Sequence, residues 1–124
     1  MEPFESWKEF VKRKGLNEIK EIFLKDVTRK VIHVYLREAF VYQKQHNHDN
    51  KYFTVERLKY LRYIGKKEDM ANPKSAKKGN IEYRFCYYIV ARNRCWWWGQ
   101  YCPMIPKEDY QKLMKKVKKE VEVK

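Results

Sequence analysis

With 124 residues the chain has room for one domain, and that length supports a core without metal or disulfide staples. Its 44% hydrophobic content excludes a disordered tail, and its longest apolar runs, residues 85–91 and 95–99, fall far short of the ~20 residues of a spanning helix. A net charge of +13 makes a polyanion the first partner to consider, and three cysteines without a CxxC pair argue against both a disulfide scaffold and a closed zinc site.

Ser6-Trp7-Lys8-Glu9 reads as a capping box at the start of a short helix with Trp7, Phe10 and Val11 on one face. Gly15 supplies the left-handed residue that ends it. Asn17 then caps an expected second helix, whose apolar positions Ile19, Ile22, Phe23, Val27, Val31, Val34, Tyr35 and Ala39 follow the i, i+3, i+4 pattern. Its inner stretch, residues 31–36, is β-branched enough to form a strand, and His33 is read there as a structural histidine. A polar loop spans residues 43–51. Thr54 caps a third expected helix with Val55, Leu58, Leu61 and Ile64 inward, and Gly65 ends it.

Residues 66–80, KKEDMANPKSAKKGN, hold five lysines and little to bury, so they read as a mobile basic loop. Residues 81–91 and 95–104 are aromatic and β-prone, as in a hairpin turning at Asn93-Arg94. Pro106 opens a final helix with Glu108 and Asp109 at its positive end. Its stripe is Tyr110, Leu113, Met114, Val117 and Val121, opposite a lysine-rich face.

A two-residue turn fixes the hairpin faces. One carries Tyr83, Phe85, Tyr87, Ile89, Ala91, Trp96, Trp98, Gln100 and Cys102, and is assigned to the core. The other mixes Arg84, Arg92, Tyr88, Trp97 and Tyr101 with Cys86 and Cys95. A slipped register would instead set Cys86 opposite Cys102 and permit a bridge.

The charge is unevenly distributed. Residues 1–50 carry ten Lys and Arg against eight Asp and Glu, whereas residues 51–80 carry nine against three. Clustered cations next to flat rings are what a phosphate backbone with stacking bases selects. Three helices followed by a hairpin are similar in layout to winged-helix proteins, and that resemblance implies a third helix in the major groove with a wing on the backbone.

The expected fold class is therefore α+β, with three N-terminal helices, an antiparallel aromatic hairpin and a C-terminal helix, in a winged-helix-like arrangement of one domain. The expected function is non-catalytic nucleic-acid binding, DNA before RNA. Phosphate contacts are assigned to Arg57, Lys59, Arg62, Lys66, Lys67, Lys74, Lys77, Lys78, Arg84, Arg92 and Arg94. Tyr88, Trp97 and Tyr101 are the stacking candidates. A homodimerising or protein-interaction module built on the hairpin is the competing class.

An enzyme comes last. His46-Asn47-His48-Asp49 with Tyr110 is similar to the histidine pair and tyrosine of replication-type nickases, although there the histidines flank an apolar residue on a strand. Glu38, Asp49, Glu56, Asp69 and Glu82 could serve a metal-dependent nuclease, but no spacing singles out a site. No catalytic residue, metal or cofactor is assigned. The acidic N-terminus MEPFESWKEF lacks an apolar signal core, so the expected address is cytoplasmic. Abundant Lys, Glu, Ile and Tyr hint at a thermophilic source.

Overall fold

The computed structural model of the protein describes residues 1–99 and 101–123. Helix α1 (Trp7–Lys14) is followed by strands β1 (Lys20–Lys25), β2 (Ile32–Lys44), β3 (Lys51–Ile64), β4 (Ile81–Val90), β5 (Trp96–Trp98) and β6 (Met104–Pro106), then by helix α2 (Lys107–Lys116). The strands form one antiparallel meander in chain order, with β5 and β6 pairing in turn along the outer edge of β4.

Helix α1 forms as its sequence dictates. The Ser6 hydroxyl accepts the Glu9 amide at 3.1 Å, the Ser6 amide donates to the Glu9 carboxylate at 3.0 Å, and Gly15 ends the helix at φ 62°. The helix lays Trp7, Phe10 and Val11 on the sheet, where they pack with Leu16, Tyr88 and Trp96. The Trp7 ring stacks on Tyr52 at 4.3 Å, meets Tyr42 and Trp96 edge-on and lies tilted against Tyr88. Each such side chain contributes about 1.5–3 kcal/mol by leaving water.

The expected second and third helices are strands, so the three-helix, winged-helix-like arrangement is overturned. Asp26–Val31 is a tight turn between β1 and β2, closed by an Asp26 N–H to Val31 bond of 2.8 Å. Beyond it, the β-branched and aromatic run of β2 pairs with β3 from Ile32 to Lys44. Two irregularities break the alternation: Glu38 is an extra residue on β2 and Leu61 an extra residue on β3. Each shifts the phase by one residue, so a strand pattern mimics helical spacing.

The buried positions of β3 are Thr54, Glu56, Leu58 and Tyr60, a strict alternation that includes a carboxylate. Glu56 is 1% exposed between two arginines, with Arg84 Nε at 2.7 Å and Arg37 Nη1 at 3.3 Å. Arg37 also donates to the carbonyls of Glu18 (3.1 Å) and Gly15, tying the end of α1 to the sheet. The negative end of the helix dipole thus meets a buried cation.

Residues 66–80 are more closely packed than their composition predicts. They include short 3-10 turns at Lys67–Asp69 and Pro73–Ser75, bury Met70, and rest Ala76 on the cluster Tyr35, Leu58 and Tyr60. At this end His33 Nε2 lies 2.7 Å from Asp26 Oδ1, and His33 Nδ1 lies 2.8 Å from the Tyr60 hydroxyl. His33, with the Thr28 and Ala71 amides, holds the Asp26 carboxyl well below the usual carboxylate range. Burial pushes the Tyr60 phenol up to about 12.

The β4–β5 turn is one residue out of the expected register: Val90 pairs with Trp96, and the loop is 91–95. The faces exchange accordingly. Arg84, Cys86, Tyr88 and Val90 turn toward α1, while Tyr83, Phe85, Tyr87 and Ile89 turn away. Cys86 and Cys102 form a disulfide with Cα atoms 4.7 Å apart, in line with the separate β4–β6 register, in which Arg84 pairs with Met104. Gln100, assigned above to the core face, lies outside the described residues.

Candidate nucleic-acid interface

One face of the sheet is covered by α1 and by residues 66–80. Among the described residues the other is covered only at one end, where the Tyr110 ring of α2 sits 4.8 Å from Tyr83 and 5.8 Å from Phe85. The register places Lys51, Phe53, Val55, Arg57 and Lys59 of β3 on this second face, with Val41 of β2 and Tyr87 and Ile89 of β4. Trp97 joins them opposite Ile89. Arg62 also reaches this face because of the extra residue at Leu61, and there it meets Glu21 at 2.8 Å.

The centre of the face is aromatic and open. Val41 is 62% exposed, Phe53 45% and Trp97 56%. The Lys51 ammonium lies 5.2 Å from the Phe53 ring centre and 4.8 Å from that of Tyr87, which is cation–π geometry on a cross-strand pair. Gly99 seats the Tyr87 ring: a Cβ at Gly99 would lie 2.8 Å from it, so only glycine fits without movement. Arg57 is half tied down, with Glu38 at 3.1 Å and the Tyr83 hydroxyl at 3.3 Å. No lysine enters an ion pair among the described residues, so Lys51 and Lys59 carry uncompensated charge.

The structure gathers only part of the set assigned from sequence. Arg57, Lys59, Arg62 and Trp97 share the open face. Lys66, Lys67, Lys74, Lys77 and Lys78 belong to the segment that closes the opposite face. Arg84 is committed to Glu56, and its guanidinium lies over the Trp98 ring at 4.8 Å. Tyr88 is 7% exposed in the core and offers no ring to a base. Arg92 and Arg94 lie in the 91–95 turn, where Arg94 donates to the Glu2 carbonyl at 2.6 Å and covers the Phe4 ring. Tyr101 is exposed on the segment between β5 and β6. Lys51 and Phe53 were missed because their face becomes visible only once β3 is a strand, and Tyr87 because the hairpin register put it on the core face.

The nickase constellation does not assemble. His46 and His48 lie in the β2–β3 turn, where His48 Nδ1 accepts the Asn50 amide at 3.0 Å. Tyr110 packs near Tyr83 and Phe85, four to six residues along β4 from the Lys51–Ile89 pair beside that turn, or roughly 13–20 Å at the rise of a strand. Of the nuclease carboxylates, Glu56 and Glu38 are engaged by arginines. Among the described residues, no three His, Cys, Asp or Glu side chains converge on a metal position.

Fold and face together define a class: an antiparallel meander sealed by a helix on one side and left open, aromatic and basic on the other. No family model, curated protein or solved structure matches the chain at a significant level. Among the described residues, no helix is long and apolar enough to cross a membrane.

Proposed function

We propose that this protein binds single-stranded nucleic acid on the open face of its sheet, without catalysis. The observation that carries the reading is the central triad: a free ammonium, Lys51, set against the rings of Phe53 and Tyr87, with Phe53 about half exposed. Bases stack on such rings whatever their identity, and cations alongside hold the phosphates. Lys51 and Lys59 are the ready cations, while Arg57 and Arg62 exchange their carboxylate partners for phosphate. The helix expected to enter a duplex groove is strand β3, and a flat face suits unpaired bases better than a groove.

The proposal includes a cytoplasmic address. The Cys86–Cys102 bridge is compatible with it in a hyperthermophile, where intracellular disulfides occur, and the Lys- and Glu-rich composition agrees with such a source.

The test is anisotropy of a labelled single strand of ~15 nucleotides, which spans at most a few binding sites of this size. Phe53→Ala removes a half-exposed ring and leaves the core intact, so circular dichroism stays unchanged. Affinity falls by roughly 5- to 150-fold, the equivalent of ~1–3 kcal/mol per stacked base. Unchanged affinity sinks the reading. A second reading, homodimerisation through the same face, is favoured by the exposed Val41 beside Phe53. In that case Phe53→Ala would shift the sedimentation coefficient rather than the oligonucleotide affinity.

A further inference from the structure

Strand β5 divides two surfaces. Trp97 sits opposite Ile89 on the open face but also borders the second surface, its indole N–H donating to Asn93 Oδ1 at 3.1 Å, whereas Trp96 and Trp98, one residue to either side, look the other way. On that other side lies a cleft of about 480 Å³ between β5 and the last turn of α1. Its size falls within the ~300–1,000 Å³ of small-molecule sites. Phe10, Tyr88 and Trp96 line it as buried rings, and Trp98 is 37% exposed although the Arg84 guanidinium lies over its ring at 4.8 Å, which leaves part of the ring surface open. Two cations from the end of α1 join the lining. Arg13 is held by Glu5 at 2.6 Å, which offsets its charge. Lys14 has no ion-pair partner among the described residues.

Aromatic walls with one free ammonium at the mouth match a single nucleotide: a flat, weakly polar ring attached to a phosphate. β5 is also the end of the sheet order and is only three residues long. A strand lying across Phe53, Tyr87 and Trp97 therefore reaches the cleft by turning round this edge.

We propose that the cleft takes the terminal nucleotide of a strand bound on the open face, its base against Trp98 and its terminal phosphate at Lys14. The inference rests on the nucleic-acid reading above and adds to it a preference for strand ends. The experiment compares linear single strands, phosphorylated at the 5′ or the 3′ end, with a covalently closed circle of the same sequence, which has no end. One of the two linear strands binds at least about five-fold tighter than the circle, the factor that the weakest base–aromatic stack supplies. Lys14→Glu, an exposed position that leaves the fold intact, abolishes that advantage and leaves the affinity for the circle unchanged. Equal binding of both linear strands and the circle overturns the cleft proposal while leaving the open face standing. So does a Lys14→Glu variant that weakens linear and circular strands by the same factor. If no strand binds at all, the nucleic-acid reading itself has failed, and the cleft proposal fails with it.

Discussion

Replacing Glu56 by alanine removes the carboxylate shared by the buried Arg37 and the half-buried Arg84. In the folded protein Glu56 is 1% exposed and Arg37 3%, and the two arginines reach opposite oxygens of the carboxylate at 3.3 and 2.7 Å. Arg37 keeps its bonds to the Gly15 and Glu18 carbonyls, but the charge of both arginines is left without an anion. Breaking a buried ion pair from one side costs about 3–5 kcal/mol. Domains have only about 5–15 kcal/mol in total, so Glu56→Ala consumes roughly a fifth of the stability or more. For a chain of this size that corresponds to a fall in Tm of roughly 10–20 °C. Urea and thermal unfolding followed by circular dichroism measure it. The triple variant Arg37→Met, Glu56→Leu and Arg84→Met is the control: it removes all three charges and recovers most of the loss, since apolar replacement of a buried triad is neutral or stabilising by about 1–4 kcal/mol. A Glu56→Ala variant within about 1 kcal/mol of wild type would refute the view that these arginines depend on the carboxylate.

Other expectations concern the far end of the sheet and the bridge. The Asp26 carboxyl is held below its ordinary value, so its contribution is present above that value and is lost as pH falls through the lowered one. Acid titration of unfolding should show this loss in wild type and not in Asp26→Asn, which is already destabilised at neutral pH; parallel acid profiles would contradict it. For Tyr60 the sign is opposite: the phenol is raised to about 12, so its contribution is complete below the ordinary value near 10 and disappears between the two. Tyr60→Phe should flatten that alkaline limb, and an unchanged limb would exclude Tyr60 as its source. Cys86 and Cys102 are 16 residues apart, and closing a loop of that length stabilises by about 3 kcal/mol in the chain-entropy account. Reductant should lower the unfolding midpoint of wild type and leave that of the double serine variant where it is.

What could be read from the sequence divides along physical lines. Helix α1 was legible because its signals are local: Ser6 and Glu9 cap it, and Gly15 stops it, with no help from distant residues. The start of α2 at Pro106 was legible for the same reason. Strands β2 and β3 were not. Their inward positions include Arg37, Thr54 and Glu56, which no apolar pattern registers, and each strand carries an extra residue that resets the alternation. The remaining apolar residues, Val55, Leu58, Leu61 and Ile64, then fall at helical spacing by coincidence. The hairpin was recognised, but a five-residue turn in place of a two-residue one exchanged its faces. Trp97 was correctly assigned outward, whereas Tyr88 belongs to the core and Tyr87 to the open face. The basic excess was legible as a number, but not its division between the two faces, because that depends on the path of residues 66–80 over the covered side.

The central claim is that the open face holds a single strand through four cations and a set of rings. The most direct measurement is the affinity of wild type for a labelled single strand across a salt series. Lys51, Arg57, Lys59 and Arg62 share the face, and each phosphate neutralised on a single strand contributes about −0.7 to the slope of log affinity against log salt. The account predicts a linear fall with a slope near −2.8 when all four are engaged, at roughly −0.7 each. A slope indistinguishable from zero, or no binding at low salt, would contradict it.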